Sequence, residues 1–215
     1  MALLLHDYFR SSASYRVRIA LNLKGLPYRQ QAHHLVKGEH RAPDYLGINP
    51  QGFVPALADG DVLITQSVAI IEYLEEAYPD TPRVLPATPV ERARVRSLAA
   101  VVAADTHPLN NLRILKYLQT ELGLDEAART AWYHRWLKEC FDALEARLTA
   151  EPDTGRFCHG DDPTLADICL VPQIFNARRF AFDLSPYPTV MRIFDAAQAL
   201  DAFVRAEPDR QPDAE

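Results

Sequence analysis

Residues 78–89 read YPDTPRVLPATP, with prolines at 79, 82, 86 and 89. Proline has no backbone N–H to donate and its ring clashes with the preceding turn, so neither a helix interior nor a central strand can run through this stretch. It divides the 215-residue chain into two parts with different hydrophobic patterns. Before it, short apolar runs alternate with one-sided helical patterns; after it only helical periodicity remains. The expected organisation is a mixed domain over 1–80, a linker over 81–89 and a helical domain over 90–215.

The first part opens with the apolar run ALLLHDY, read as a strand, followed by a helix from about Ala13. Ser11 and Ser12 stand at the N-cap of that helix, and Gly25 closes it. Ala13, Val17, Ala20 and Leu21 recur on one face, which leaves Ser14, Arg18 and Asn22 on an opposite, polar face. A second strand fits 28–33. After a polar, weakly periodic region over 37–49, FVPAL and VLI flank the turn ADGD as a hairpin. Pro55 cannot donate to a ladder and is therefore expected at an edge, a bulge or a cis turn that aims the Val54 backbone outward. Ser67 caps the helix VAIIEYLEEAY, whose Val68, Ile71 and Leu74 share a face.

The second part is expected to hold helices over 90–122, 125–150, 164–182 and 189–200. Thr164 and Asp167 have capping-box spacing, which makes Asp167 a capping residue rather than an acid or base. The closing AEPDRQPDAE is acidic and proline-bearing, and is expected to be poorly ordered.

Composition narrows the function. A net charge of −6 and a pI near 5.6 argue against nucleic acid and acidic membranes as partners, because no basic surface is concentrated anywhere. Cys140, Cys158 and Cys169 are an odd set without CxxC spacing, which argues against both a disulfide framework and a zinc site, so no metal is expected and a reducing cytoplasm is the simplest home. The apolar run 98–104 is far shorter than a membrane span. His33 and His34, adjacent on a strand, point to opposite faces and make a poor chelate. No GxSxG, P-loop or HExxH pattern is present.

What remains is an anion site. Hydroxyls at a helix N-terminus, where backbone N–H groups are unpaired and the macrodipole is positive, favour a bound anion. The same stretch also carries Arg10, Arg16 and Arg18. Arg16 falls among the apolar positions of its helix and is expected in a buried structural ion pair.

The segments SSASYRVRIALNLKG, NPQGFVPAL, QSVAIIEYLEE, HPLNN, LADICLVPQ, NARRF and RQPD, in this order and at these spacings, resemble the zeta class of cytosolic glutathione transferases over essentially the whole chain. The resemblance implies an α+β thioredoxin-like N-terminal domain that holds glutathione, followed by an all-α C-terminal domain that completes a substrate pocket. It also implies a cytoplasmic homodimer, and glutathione as cofactor for cis–trans isomerisation of a maleyl diacid. It identifies Ser11 and Ser12 as the catalytic hydroxyls. The implied glutathione contacts are Ser11, Ser12, His40, the Val54 backbone ahead of a cis Pro55, Gln66, Ser67, His107 and Asn111. Arg10 and Arg179 match the substrate-carboxylate arginines, although Arg178 competes with Arg179 from spacing alone. Ala13 departs from the cysteine of many zeta enzymes, so a mechanism needing that thiol is excluded. Leu112 departs from the arginine of the maleylpyruvate-isomerising pattern and favours maleylacetoacetate. Other readings of the same fold are a general transferase toward electrophiles and a non-catalytic glutathione-binding protein.

Overall fold

The computed structural model describes residues 3–215. The chain forms two compact units, one of residues up to Val84 together with Gln198–Glu215, the other of Leu85–Ala197. The boundary lies within the four-proline stretch.

The first unit carries β1 (Leu3–Asp7), α1 (Ser12–Leu23), β2 (Tyr28–Ala32), α2 (Pro43–Ile48), β3 (Ala56–Asp59), β4 (Val62–Thr65) and α3 (Ser67–Ala77). The sheet order is β2-β1-β3-β4, with β1 and β2 parallel and the other two pairings antiparallel. This is the mixed thioredoxin-like layout that the sequence implied, with α1 and α3 packed together beside the sheet. Gly25, at φ 65, ends α1, where the Leu26 N–H bonds back to the Leu21 carbonyl at 3.0 Å. The bond Val54–Pro55 is cis. The region 37–49, read as irregular, contains a 3₁₀ turn at Glu39–Arg41 followed by α2.

Two expectations fail here. The supposed polar face of α1 is buried: Ser14 and Arg18 are both 0 % exposed. The cause is the closing segment, expected to be poorly ordered, which instead folds back onto this unit as α9 (Asp201–Val204) and a 3₁₀ turn at Pro208–Arg210. Arg18 Nε donates to the Ala206 carbonyl at 3.0 Å, and Asn22 Nδ2 to that of Ala202 at 3.0 Å. A face that looks polar within α1 is thus matched by backbone carbonyls 180 and 188 residues away, a pairing invisible to local periodicity.

The second unit contains α4 (Pro89–Ala100), a π-helical segment (Val101–Thr106), α5 (Leu112–Thr120), α6 (Glu126–Ala150), α7 (Leu165–Arg179) and most of α8 (Pro188–Gln198). The helix expected over 90–122 is broken, and Pro108, which cannot continue it, lies in the break. Thr88 and Glu91 form a capping box at α4 with Pro89 in the first turn. Asp167, fully buried, accepts the Thr164 N–H and the Cys158 N–H at 2.8 Å each, which fits the capping role read from the sequence. No helix among the described residues is long and apolar enough to cross a membrane.

Candidate active site

Strand register assembles the site in the first unit. His6 pairs with Ala56, and Ala56 with Thr65, in the last row shared by β1, β3 and β4. Beyond that row Tyr8, Val54–Pro55 and Gln66–Ser67 follow at the same end of the sheet, with Asp7 still paired to Ala32 of β2. Tyr8, Phe9, Tyr45 and Val54 form one buried apolar cluster, which packs the β1–α1 loop against Val54.

At the start of α1, Ser11 is the N-cap and Ser12 the first helical residue; their exposures are 9 % and 8 %. Ser11 Oγ accepts the Ser14 N–H at 3.2 Å. A hydroxyl has one proton to donate and two lone pairs, so this cap leaves the Ser11 O–H able to donate to an anion at the helix end. Arg10, one residue upstream, is exposed and lies over the rings of Phe9 and Tyr8, 5.3 and 5.9 Å from their centroids. Stacking leaves its planar N–H fork able to face a carboxylate.

Gln66 precedes α3 at φ 72, a backbone region that non-glycine residues rarely adopt and that clusters at binding sites. Its side chain is exposed, and Nε2 donates to Gln51 Oε1 at 2.8 Å. Ser67 is buried, and its Oγ accepts from Arg16 Nη1 at 3.3 Å, which ties the first turn of α3 to α1. Arg16 is therefore buried, as its position among apolar residues implied, with a hydroxyl as one of its partners.

The loop before Val54 is held by α2: Tyr45 Oη and Asn49 Nδ2 both donate to the Phe53 carbonyl, at 2.6 and 2.8 Å. His40, half-buried, joins the same group through its backbone. Gly52 sits at φ 61 so close to it that a Cβ there would stand 3.0 Å from the His40 carbonyl oxygen, and Arg41 Nη1 donates to the Gln51 carbonyl at 3.2 Å. The structure therefore gathers Arg10, Ser11, Ser12, His40, Val54, Gln66 and Ser67 at one end of one sheet.

The other three candidates lie in the second unit. His107 and Asn111 do not share a helix, as their spacing suggested: His107 follows the π-helical segment, and Asn111 caps α5 by accepting the Arg113 N–H at 3.1 Å. A π-helical turn adjoining a candidate residue is a recurrent companion of functional positions. Asn110 donates to the Tyr133 carbonyl at 3.3 Å, and the Tyr133 ring stacks on Phe180 with centroids 3.7 Å apart. Arg179 lies over Phe180 at 5.2 Å. Burial pushes the Tyr133 phenol up, with the Arg179 charge acting in the opposite direction. Tyr133 thus connects the 107–111 turn with Arg179, whereas Arg178 turns to Phe194, 4.4 Å from its ring centroid.

Sequence reasoning missed the polar scaffold beneath the loop. Arg18 Nη1 donates to both Asp7 oxygens at 2.9 Å, and Gln30 Nε2 to Asp7 Oδ2 at 2.9 Å. An aspartate ending an apolar strand eleven residues before an arginine was the available signal.

The chain matches the family models for the glutathione S-transferase N-terminal domain over residues 5–82 and C-terminal domain over residues 126–206. It is 53 % identical to the maleylpyruvate isomerase of a Ralstonia species over 210 residues, covering 98 % of this chain and 99 % of the relative. A holo structure of a maleylpyruvate isomerase, described as a bacterial glutathione S-transferase of the zeta class, superposes with a TM-score of 0.96 at 52 % identity, covering 99 % of this chain and 100 % of that one. The maleylacetoacetate isomerase of Methylobacterium extorquens AM1, solved with malonate and glutathione, gives 0.95 at 45 % identity, covering 99 % of both chains. With strand order, helical second unit and near full-length identity in agreement, the chain belongs to the zeta class of the glutathione S-transferase family.

Proposed function

We propose that the protein is a glutathione-dependent cis–trans isomerase that converts maleylacetoacetate to fumarylacetoacetate. The observation that carries this reading is the convergence of the Ser11–Ser12 helix start, the Val54 backbone, Gln66–Ser67 and exposed Arg10 beyond one row of the sheet. Glutathione, when bound, supplies a nucleophilic thiol for reversible addition to the cis double bond, after which rotation and elimination give the trans isomer.

The residues suit that cofactor. Ser11 keeps a hydroxyl proton to donate, and α1 adds the positive end of its dipole. Lowering a thiol pKa by about two units requires about 2.7 kcal/mol. A charge-assisted hydrogen bond contributes roughly 1.5–3 kcal/mol, and the helix end about 0.3–1 more. Together, at about 1.8–4 kcal/mol, they bracket the requirement with alanine at position 13. Gln66 and Ser67 grip the γ-glutamyl end, and the Val54 backbone and His40 hold the remainder. His107 and Asn111 are the further glutathione contacts; Asn111 caps α5 through its carbonyl, so its amide hydrogens remain to donate. Arg10 and Arg179 hold the substrate carboxylates and stabilise charge that develops on the neighbouring carbonyl.

The substrate is a small diacid, and the reading includes a cytoplasmic homodimer. Three buried cysteines, Cys140, Cys158 and Cys169, an odd set without CxxC spacing, support a reducing compartment. A second reading, maleylpyruvate as substrate, is favoured by the name of the 53 % identical Ralstonia relative. Isomerisation of both substrates in parallel, with catalytic glutathione, decides between them. A tenfold preference, about 1.4 kcal/mol in transition-state binding, names the substrate. Failure on both while glutathione binds overturns the isomerase reading, and net glutathione consumption would indicate a transferase.

A further inference from the structure

The loop from Asp7 to Ser12 holds no regular hydrogen-bond ladder, yet every backbone polar group of Tyr8 and Phe9 has a partner. The Tyr8 N–H donates to Asp7 Oδ1 at 2.6 Å, and the Tyr8 carbonyl accepts the Ser11 N–H at 2.9 Å. The Phe9 carbonyl accepts from Arg18 Nη2 at 2.9 Å. The Phe9 N–H, next to Arg10 and two residues from Ser11, donates to Asp213 Oδ2 at 3.0 Å, across 204 positions of sequence.

Asp213 does not reach this position on a loose tail. Gln211, 7 % exposed, donates through Nε2 to the Arg205 and Glu207 carbonyls at 2.9 and 2.7 Å, and its Oε1 accepts from Gln30 at 2.9 Å. Gln30 is the same side chain that bonds Asp7. Beyond Asp213, Glu215 pairs with His34 and Lys37. The closing segment is therefore fixed on both sides of Asp213, whose carboxylate bonds the Phe9 amide next to Arg10 and Ser11.

We propose that residues 205–215 form a latch and that Asp213 is a positioning residue: its carboxylate fixes Phe9 and so sets where Arg10 and Ser11 stand. The catalytic consequence rests on the isomerase reading; the structural one does not. Asp213 touches neither the thiol nor the substrate in this scheme. It acts through the Phe9 amide, and displacement of catalytic groups by about 1 Å costs on the order of 10²-fold in rate.

The test compares Asp213→Ala, Asp213→Asn, which retains an acceptor oxygen, and Asp209→Ala, which removes an exposed charge from the same segment. Peptide-level amide exchange over 8–12 in the glutathione-free protein reads the latch without requiring any activity. Exchange should quicken at least tenfold in Asp213→Ala and stay near wild type in the other two. Unchanged exchange in Asp213→Ala overturns the latch, even if the wild type proves not to be an isomerase. For the positioning role, the ultraviolet titration of bound glutathione should move toward the free thiol in Asp213→Ala. Its kcat should fall roughly tenfold or more, with Asp213→Asn restoring most of it. Faster exchange with unaltered titration and kcat overturns the positioning role and leaves Asp213 a purely structural tie.

Discussion

Replacing Asp7 with asparagine removes a charge while keeping the shape, and the structure sets the size of the effect. Arg18 is 0 % exposed and Asp7 1 %, so after the change a guanidinium stays buried with no carboxylate beside it. Breaking a buried pair in this one-sided way costs about 3–5 kcal/mol. With a urea m-value of about 2–3 kcal/mol per molar, the midpoint for this unit should fall by roughly 1–2.5 M. Circular dichroism reports on the whole chain, whereas both tryptophans, Trp132 and Trp136, lie in the Leu85–Ala197 unit. If the units unfold separately, the dichroism midpoint shifts while the fluorescence midpoint stays. The double variant Asp7→Leu/Arg18→Met sharpens the test, because removing both partners of a simple ion pair is often neutral. Here it also strands the Phe9 and Ala206 carbonyls and the Tyr8 N–H. Each stranded group costs about 1–3 kcal/mol, so with three of them the double variant should remain at least about 3 kcal/mol below wild type. A double variant as stable as wild type would refute the view of this pair as a polar hub.

Two further outcomes separate cap from chemistry and neutral from acid behaviour. Ser11→Asp keeps an N-cap acceptor but puts an anion where the thiolate would sit: thermal stability should hold within about 0.5 kcal/mol while turnover falls more than about 100-fold, and retained turnover would move the thiolate to Ser12. His6 Nδ1 and His33 Nε2 lie 3.0 Å apart, and burial holds both imidazoles below the ordinary 6.5. The folded state therefore binds fewer protons than the unfolded one, so this contribution is present at neutral pH and is lost as pH falls below about 6.5; the urea midpoint should decline from pH 7 to 5, and the decline should flatten in His33→Asn.

What the sequence disclosed, and what it hid, follows the range of each interaction. Ser11 as a cap, Thr164 with Asp167, Gly25 as a stop and the ADGD hairpin all depend on partners within a few residues, and each was readable. The break at 107–111 was also local, since Pro108 announces it, but strong periodicity on both sides masked the signal. The buried Arg18 face and the ordered closing segment were unreadable because each makes the other polar group's environment from the far end of the chain. The same limit applied to the site: motif resemblance named its residues, but only strand register brings Tyr8, Val54 and Ser67 side by side.

The three arginines around α1 show how burial divides one kind of charge among different tasks. Arg18 is buried and bonded to Asp7, Phe9 and Ala206, and Arg16 is buried against α3 through Ser67. Arg10 alone of the three is exposed, with aromatic rings beneath its guanidinium in place of a carboxylate. An incoming diacid would have to break a buried hydrogen-bond network to reach either of the others, at about 1–3 kcal/mol for each buried group left unsatisfied. At Arg10 it displaces only water. The two buried arginines hold α1 and its N-terminus in place, and of the three this leaves Arg10 as the exposed cation beside the serines, the one that the proposed function assigns to a substrate carboxylate.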